Sequence, residues 1–158
     1  MKTEELFNAI RSEDLNKVEE LLTKNSELVN QRDQRGSTPL LLATYYGNNE
    51  VARTILKFNP EIDAKDASGN TALMGVCFKG HTNIAKLLLD NGANVNVTNF
   101  NGATALIYAA TFAKKDIVNL LLENGADTTI KDDRGNTAMD HAQMQDAKPI
   151  IELLENKK

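Results

Sequence analysis

The side chains most able to do chemistry in this chain are one cysteine and two histidines. Cys77, His81 and His141 stand apart from any motif for a nucleophile, a phosphate loop or a metal site. We therefore predict that Cys77 packs as a small apolar residue, that His81 is structural, and that His141 packs with its polar edge toward solvent. The sequence predicts no catalytic residue, no cofactor and no metal.

Acidic residues recur at regular places along the chain, at Asp33, Asp66, Asp132 and Asp133. Aspartate is a calcium ligand in many proteins, but no loop of calcium-binding spacing surrounds these four. Aspartate at the start of a turn also ties the local backbone through its side chain. We predict that all four are turn formers.

These turns belong to a pattern that returns every 33 residues without insertion or deletion, in copies that start at Asp33, Asp66, Asn99 and Asp132. Each copy has a glycine at its fourth place and a threonine at its sixth. The glycines are Gly36, Gly69, Gly102 and Gly135, and the threonines are Thr38, Thr71, Thr104 and Thr137. A fixed period of this length predicts a solenoid, in which each unit contacts only its neighbours.

Several segments of the period, Gly-x-Thr-Ala-Leu, Gly80-His81, Leu-Leu-Leu at 87–89 and Gly-Ala-Asn-Val-Asn at 92–96, resemble an ankyrin repeat. The resemblance implies a mainly all-α solenoid of stacked helix pairs with β-turn fingers. We expect one domain over 1–158, divided into an N-terminal capping repeat (1–32), repeats at 33–65, 66–98 and 99–131, and a C-terminal capping repeat (132–158). Lys157 and Lys158 suit the negative end of its last helix.

Helix signals agree with this organisation. Each threonine precedes an apolar-periodic run, which predicts four N-caps and first helices at about 38–46, 71–79, 104–112 and 137–145. The second helices carry apolar pairs at i,i+4 spacing, which predict a core face. These pairs are Val51 with Ile55, Ile84 with Leu88, Ile117 with Leu121, and Ile150 with Leu154. Asn59, Gly92 and Gly125 should end helices in a left-handed conformation.

Two features depart from a regular ankyrin pattern. The histidine that pins adjacent turns in the family is replaced by Leu41, Met74, Ile107 and Asp140, so we expect looser bonding between turns. Gly75 stands in the middle of a helix, where glycine costs about 0.5–1 kcal/mol relative to alanine. Our hypothesis is that Tyr108, one repeat along, leans over the space that Gly75 leaves.

Composition limits the possible partners. The net charge is −4, with 18 basic and 22 acidic residues interspersed. This distribution gives no cluster of positive charge that would bind nucleic acid. No segment has the roughly 20 apolar residues of a membrane span, and the first residues do not resemble a secretory signal. We expect a monomeric, cytoplasmic protein that binds neither nucleic acid nor membranes.

The family resemblance also implies a binding face, formed by the turn tips and the inner surface of the first helices. Mapped through the period, the expected protein-binding residues are Arg35, Tyr45, Tyr46, Phe78, Lys79, Phe100, Asn101, Phe112 and Arg134. Five of the eight aromatic residues fall in this set. The alternative is that some of these rings complete the core, although Phe78 and Phe112 are one place out of register and cannot hold equivalent core sites.

The sequence therefore predicts a non-enzymatic protein-protein interaction module that grips an apolar segment of another protein. Three alternatives stay open at this point: a regulatory inhibitor or chaperone of a specific enzyme, a passive structural spacer, and an enzyme whose site is assembled from scattered residues.

Overall fold

The helices follow one another in antiparallel pairs along the chain. The structure is a computed structural model that describes residues 2–156, so that Lys157 and Lys158 lie outside the described residues. Within this range there are ten α-helices, one 3₁₀ helix and no β-strand. They are α1 (Lys2–Arg11), α2 (Leu15–Lys24), the 3₁₀ helix (Ser26–Asn30), α3 (Pro39–Tyr45), α4 (Asn49–Leu56), α5 (Ala72–Lys79), α6 (Thr82–Asp90), α7 (Ala105–Thr111), α8 (Lys115–Glu123), α9 (Ala138–Met144) and α10 (Lys148–Asn156).

The pairs stack side by side in two layers. The odd-numbered helices contact one another in sequence from α1 to α9, and the even-numbered helices do the same from α2 to α10. We call the first set the inner helices and the second set the outer helices. The predicted all-α solenoid is confirmed, while the division into capping and full repeats stays a prediction.

Threonine caps begin four of the inner helices. The Thr38 side chain accepts a hydrogen bond from the backbone N–H of Leu41 at 3.2 Å, and Thr71, Thr104 and Thr137 accept the equivalent bond. Each cap satisfies a backbone donor that the first turn of a helix leaves free. Because helices of only 7 to 10 residues are marginal in isolation, these caps and the packing between helices together stabilise them.

The core lies between the two layers and contains buried residues from both the inner and the outer helices. All eight side chains of the predicted i,i+4 pairs are buried, from Val51 and Ile55 to Ile150 and Leu154. Asn59, Gly92 and Gly125 have φ of +53°, +93° and +84°, as predicted for residues that end a helix in the left-handed region.

The turns are built on the first residue of each copy. The Oδ1 atom of Asp33 accepts hydrogen bonds from the backbone N–H groups of Arg35 and Ser37, both at 2.9 Å. Asp66, Asn99 and Asp132 make the same two bonds in their own turns. The prediction is confirmed for Asp33, Asp66 and Asp132.

Asp133, the fourth predicted turn former, behaves differently from the other three. It contributes its backbone N–H, which donates to the carbonyl of Asn101 in the preceding turn at 3.0 Å. A similar bond joins the N–H of Phe100 to the carbonyl of Ser68 at 3.2 Å. Within residues 2–156 the N–H of Ala67 makes no such bond to the turn before it. The looser bonding that we expected between turns is therefore found at the first junction only.

A second set of contacts joins consecutive repeats at the foot of the outer helices. The side-chain oxygens of Asn30, Asp63 and Asn96, which are 33 residues apart, each accept a hydrogen bond from a backbone N–H of the next repeat. The donors are Glu61, Asn94 and Asp127, at 2.9, 3.0 and 2.8 Å. These connectors fix the repeats at 33–65, 66–98 and 99–131 on the units before them.

Candidate functional site

Large aromatic side chains lie exposed where the inner helices end. Tyr45, Tyr46, Phe78 and Phe112 are 47%, 62%, 45% and 43% exposed, and Phe100, at a turn tip, is 67% exposed. The predicted exposure is confirmed, and the alternative that these rings complete the core is wrong. Aromatic rings are on average largely buried, and a group of exposed rings on one surface is typical of an interaction site.

Two of these rings meet across a repeat boundary. Phe78 lies in the last turn of α5 and Phe112 follows α7, and their ring centroids are 4.9 Å apart with the planes at 87°. Tyr108 lies parallel to Phe112 at 6.4 Å. The edge-to-face arrangement is a preferred geometry for an aromatic pair. The offset of one place between Phe78 and Phe112 therefore gives them a shared contact on the surface.

The two tyrosines of α3 continue this surface on the other side of α5. The rings of Tyr45 and Tyr46 are 5.9 Å apart. The ammonium of Lys79, which ends α5, lies 4.8 Å from the centroid of the Tyr45 ring, at the distance of a cation-π contact. We call the set Tyr45, Tyr46, Phe78, Tyr108 and Phe112 the aromatic row. It crosses three consecutive inner helices.

Tyr108 belongs to this row although we did not include it among the predicted contact residues. It precedes by four residues Phe112, which caps the C-terminus of the same helix, and side chains at i and i+4 lie on the same face. That spacing was available in the sequence as a signal.

The turn-tip residues of the predicted set are separate from the row. Phe100 packs over Gly69, where an added Cβ would come within 2.8 Å of its ring, and the Lys65 ammonium lies 5.8 Å from its centroid. Among residues 2–156 the Phe100 ring is paired with no other aromatic ring. Asn101 and Arg134 are exposed at neighbouring tips. The predicted residues therefore divide into a row on the inner helices and an edge along the turns.

Two openings flank the middle of the row. A cleft of about 550 Å³ lies between α3 and α5, and its lining includes Arg35, Tyr45, Asp66 and Gly75. A smaller, open pocket of about 270 Å³ shares Tyr45, Asp66 and Gly75, and its lining also includes Phe78 and Tyr108. The cleft lies at the junction where the turns lack a backbone bond.

Our hypothesis that Tyr108 covers Gly75 is wrong. The nearest atom to a Cβ built on Gly75 is Cδ1 of Tyr45, from the preceding repeat, at 4.0 Å. The Tyr108 hydroxyl instead accepts a hydrogen bond from Nδ2 of Asn99 at 3.0 Å, because its ring reaches back to its own turn. The space beside Gly75 is therefore open.

The expectation that His141 turns its polar edge toward solvent is also wrong. Its Nε2 lies 2.7 Å from Oδ2 of Asp132, and the two side chains are only 18% and 12% exposed. Burial raises the pKa of Asp132, but the hydrogen bonds from His141 and from the backbone of Asn136 and Arg134 outweigh it and leave that pKa below its usual range.

Cys77 and His81 have structural surroundings. Cys77 is completely buried, which raises the pKa of its thiol far above the usual range, so it packs as a small apolar residue as predicted. The His81 ring packs so closely on Gly47 that a Cβ there would be 2.7 Å from the ring. Among the described residues, no cluster of three or more His, Cys, Asp or Glu side chains is placed to hold a metal. No helix in that range is long and apolar enough to cross a membrane.

Comparison with known proteins agrees with this geometry. A family model described as ankyrin repeats in three copies matches residues 6–99, and a second, described as ankyrin repeats in many copies, matches residues 88–142. The chain belongs to the ankyrin-repeat family. Ankyrin repeats generally act as protein-protein interaction modules, and the family is typically non-enzymatic. No curated protein matches this ankyrin-repeat chain.

Proposed function

We propose that this protein binds a short apolar segment of a partner protein in the groove along its inner helices, with the aromatic row as the main contact. The observation that carries the proposal is the continuity of the row. Phe78 and Phe112 meet across one repeat boundary, and Lys79 and Tyr45 meet across another. One ligand can therefore touch three repeats at once.

The surroundings of the row support a protein ligand. Arg35, Asp66 and Lys79 place charged groups around the rings, and an apolar patch with a polar rim is typical of an interaction surface. Aromatic residues are enriched among those that dominate binding energy, and each such anchor contributes about 2 kcal/mol or more.

The length of the row sets the size of the ligand. Neighbouring packed helices lie about 10 Å apart, so three inner helices span about 20 Å. An extended peptide rises about 3.3 Å per residue, and about six residues would cover that distance. We expect a segment of this length with apolar side chains at two or three positions, one for each pair of neighbouring rings.

The turn tips would provide a second contact outside the groove. Phe100, Asn101 and Arg134 lie along one edge, and no ring contact joins Phe100 to the row in the described chain. Binding at these tips stays a prediction, and we expect it to matter only for partners larger than a short peptide.

The experiment is a selection of peptides from a random library displayed on phage, followed by affinity measurements with synthetic copies. The decisive variant combines Tyr45→Ala and Phe112→Ala, which removes one ring from each end of the row. We expect at least about 30-fold weaker binding of the selected peptides, which corresponds to one lost anchor of about 2 kcal/mol.

A matched control is Leu15→Ala, because Leu15 is also a large exposed apolar residue but lies on the outer helix α2. It should leave binding unchanged. The free energy of unfolding is measured for every variant. Binding that survives the loss of both rings would refute the proposal, and weaker binding that follows a matching loss of stability would show that the rings act in folding.

A further inference from the structure

The second side-chain atom of the four turn residues distinguishes one repeat from the others. In Asp33, Asp66, Asn99 and Asp132 the Oδ1 atom holds the turn. The other atom, Oδ2 of the aspartates or Nδ2 of Asn99, points away from the turn and is available to another side chain.

Three of the four atoms have a side-chain partner. Oδ2 of Asp33 lies 3.5 Å from Nη2 of Arg11, which ends the preceding inner helix. Nδ2 of Asn99 donates to the Tyr108 hydroxyl at 3.0 Å, and Oδ2 of Asp132 lies 2.7 Å from Nε2 of His141. Tyr108 and His141 hold the same place in their repeats, nine residues after the turn residue.

In the second repeat that place is Gly75, which has no side chain to offer. Within residues 2–156, Oδ2 of Asp66 accepts no hydrogen bond and forms no ion pair. The cleft of about 550 Å³ and the pocket of about 270 Å³ both reach Asp66 and Gly75. The carboxylate therefore faces open space where the third and fourth repeats have a phenol and an imidazole.

We propose that the notch formed by Tyr45, Asp66, Gly75 and Tyr108 accepts an arginine side chain of the partner protein. This inference rests on the proposed function, since it names a residue of the segment that binds along the row. The first repeat indicates which side chain suits this place, because there the Arg11 guanidinium lies against the equivalent oxygen of Asp33. In the second repeat Tyr45 ends the preceding helix, and its hydroxyl makes no hydrogen bond to Asp66 within the described chain.

A guanidinium suits the notch better than an ammonium does. It is flat and always charged, it donates a charge-assisted hydrogen bond to the one carboxylate oxygen that the turn leaves free, and it stacks on an aromatic ring, here Tyr108. The Lys79 ammonium already lies over Tyr45, so Tyr108 is the ring left for the guanidinium, and Asp66 is its counterion.

The test uses Nα-acetyl-arginine amide as the probe and ¹⁵N-¹H NMR of the full chain as the readout. We expect saturable shifts at the amides of Ser68, Asn70 and Gly75. The corresponding citrulline derivative has nearly the same shape without the charge, and should bind about tenfold more weakly, as expected for loss of a charge-assisted hydrogen bond. The lysine derivative should also bind more weakly than arginine does.

The variant Asp66→Asn removes the charge and keeps the Oδ1 acceptor of the turn. Asn99 forms the same turn in the next repeat, so this variant should fold, and its spectrum shows whether it does. It should lose the preference for arginine over citrulline. Gly75→Tyr, which copies the third repeat, should fill the notch and abolish the shifts.

Asp90→Asn is the matched control, because it removes one carboxylate from the outer helix α6. It should bind arginine as the wild type does. Absence of saturable shifts in the wild type, or an arginine preference that survives Asp66→Asn, would overturn the inference. In either case, peptides that still depend on Tyr45 and Phe112 would leave the proposed function standing.

Discussion

The outer helices and the ends of the inner helices follow opposite rules. The outer helices repeat the same apolar pair from one unit to the next, as in Ile84 with Leu88 and Ile117 with Leu121, and these side chains are buried. The inner helices end differently in each unit, with Tyr45, Phe78, Phe112 and Met144 among the exposed residues. Positions that recur hold the stack together, and positions that vary between repeats form the surface.

This contrast assigns stability and recognition to different residues of the same 33-residue unit. A solenoid makes such a separation possible because each repeat needs only its neighbours to be stable. Substitutions in the outer layer should therefore change the free energy of unfolding, and substitutions on the inner face should change binding.

The largest effect is expected from Leu88→Ala in the outer helix α6. Leu88 is fully buried, so the change should lower the free energy of unfolding by about 2–5 kcal/mol, measured by urea denaturation. The matched control is Leu154→Ala in α10, which has a neighbouring outer helix on one side only in the described chain. Its loss should be smaller. Equal losses would contradict the prediction that the C-terminal unit is a weaker cap.

A smaller effect is expected at the Phe78 and Phe112 pair. Because both rings are nearly half exposed, the double-mutant cycle to alanine should give a coupling of only about 0.5–1.5 kcal/mol in the free energy of unfolding. A coupling well above this range would make the pair part of the core and would remove the contrast between the two layers.

Gly75→Ala should raise the free energy of unfolding by about 0.5–1 kcal/mol, because alanine is the better helix former and its Cβ would only reach ordinary contact with Tyr45 at 4.0 Å. Thermal and urea denaturation measure the change. The expected gain would show that this position is kept open at a cost in stability. A loss would mean that the fit against Tyr45 is tight, and the notch would then be smaller than described.

The smallest effect is a difference in acid sensitivity. Since the pKa of Asp132 is lowered in the folded state, its ionised form adds stability above its ordinary value of 3.8, and this is lost as the pH falls through the lowered pKa. Asp132→Asn should therefore be less stable than the wild type near neutral pH and should lose less stability between about pH 5 and about pH 3. Asp133→Asn, at the exposed neighbouring residue, is the control. Parallel pH profiles for Asp132→Asn and wild type would contradict the role of the His141 contact.

Much of the fold could be predicted from the sequence because residues at the same position of each repeat can be compared with one another. Thr38, Thr71, Thr104 and Thr137 occupy one place in the period, so a cap inferred for one is inferred for all. The same holds for the buried pairs of the outer helices. The difference in register between Phe78 and Phe112 predicted only that the two rings could not both hold equivalent core sites, and both are exposed.

Contacts between different positions of neighbouring repeats could not be predicted in this way. The sequence places Gly75 and Tyr108 at equivalent positions, but the residue beside Gly75 is Tyr45, because the reach and direction of a ring decide the contact. The bond between His141 and Asp132 lies within one unit, and it was not predicted because it too depends on the direction of a ring. The binding role of the nine predicted residues stays a prediction.

The connectors at Asn30, Asp63 and Asn96 have a consequence for how the protein can be lengthened. Each of these three junctions uses one side-chain oxygen and one backbone N–H of the following unit, so this bond is of the same kind at all three, although the turns differ in their backbone bonds. A segment of 33 residues that begins just after one of these residues can be inserted after another. It brings a backbone N–H donor for the unit before it and a side-chain acceptor for the unit after it. Its insertion would extend the inner face by one helix and create one new joint, with every existing joint preserved.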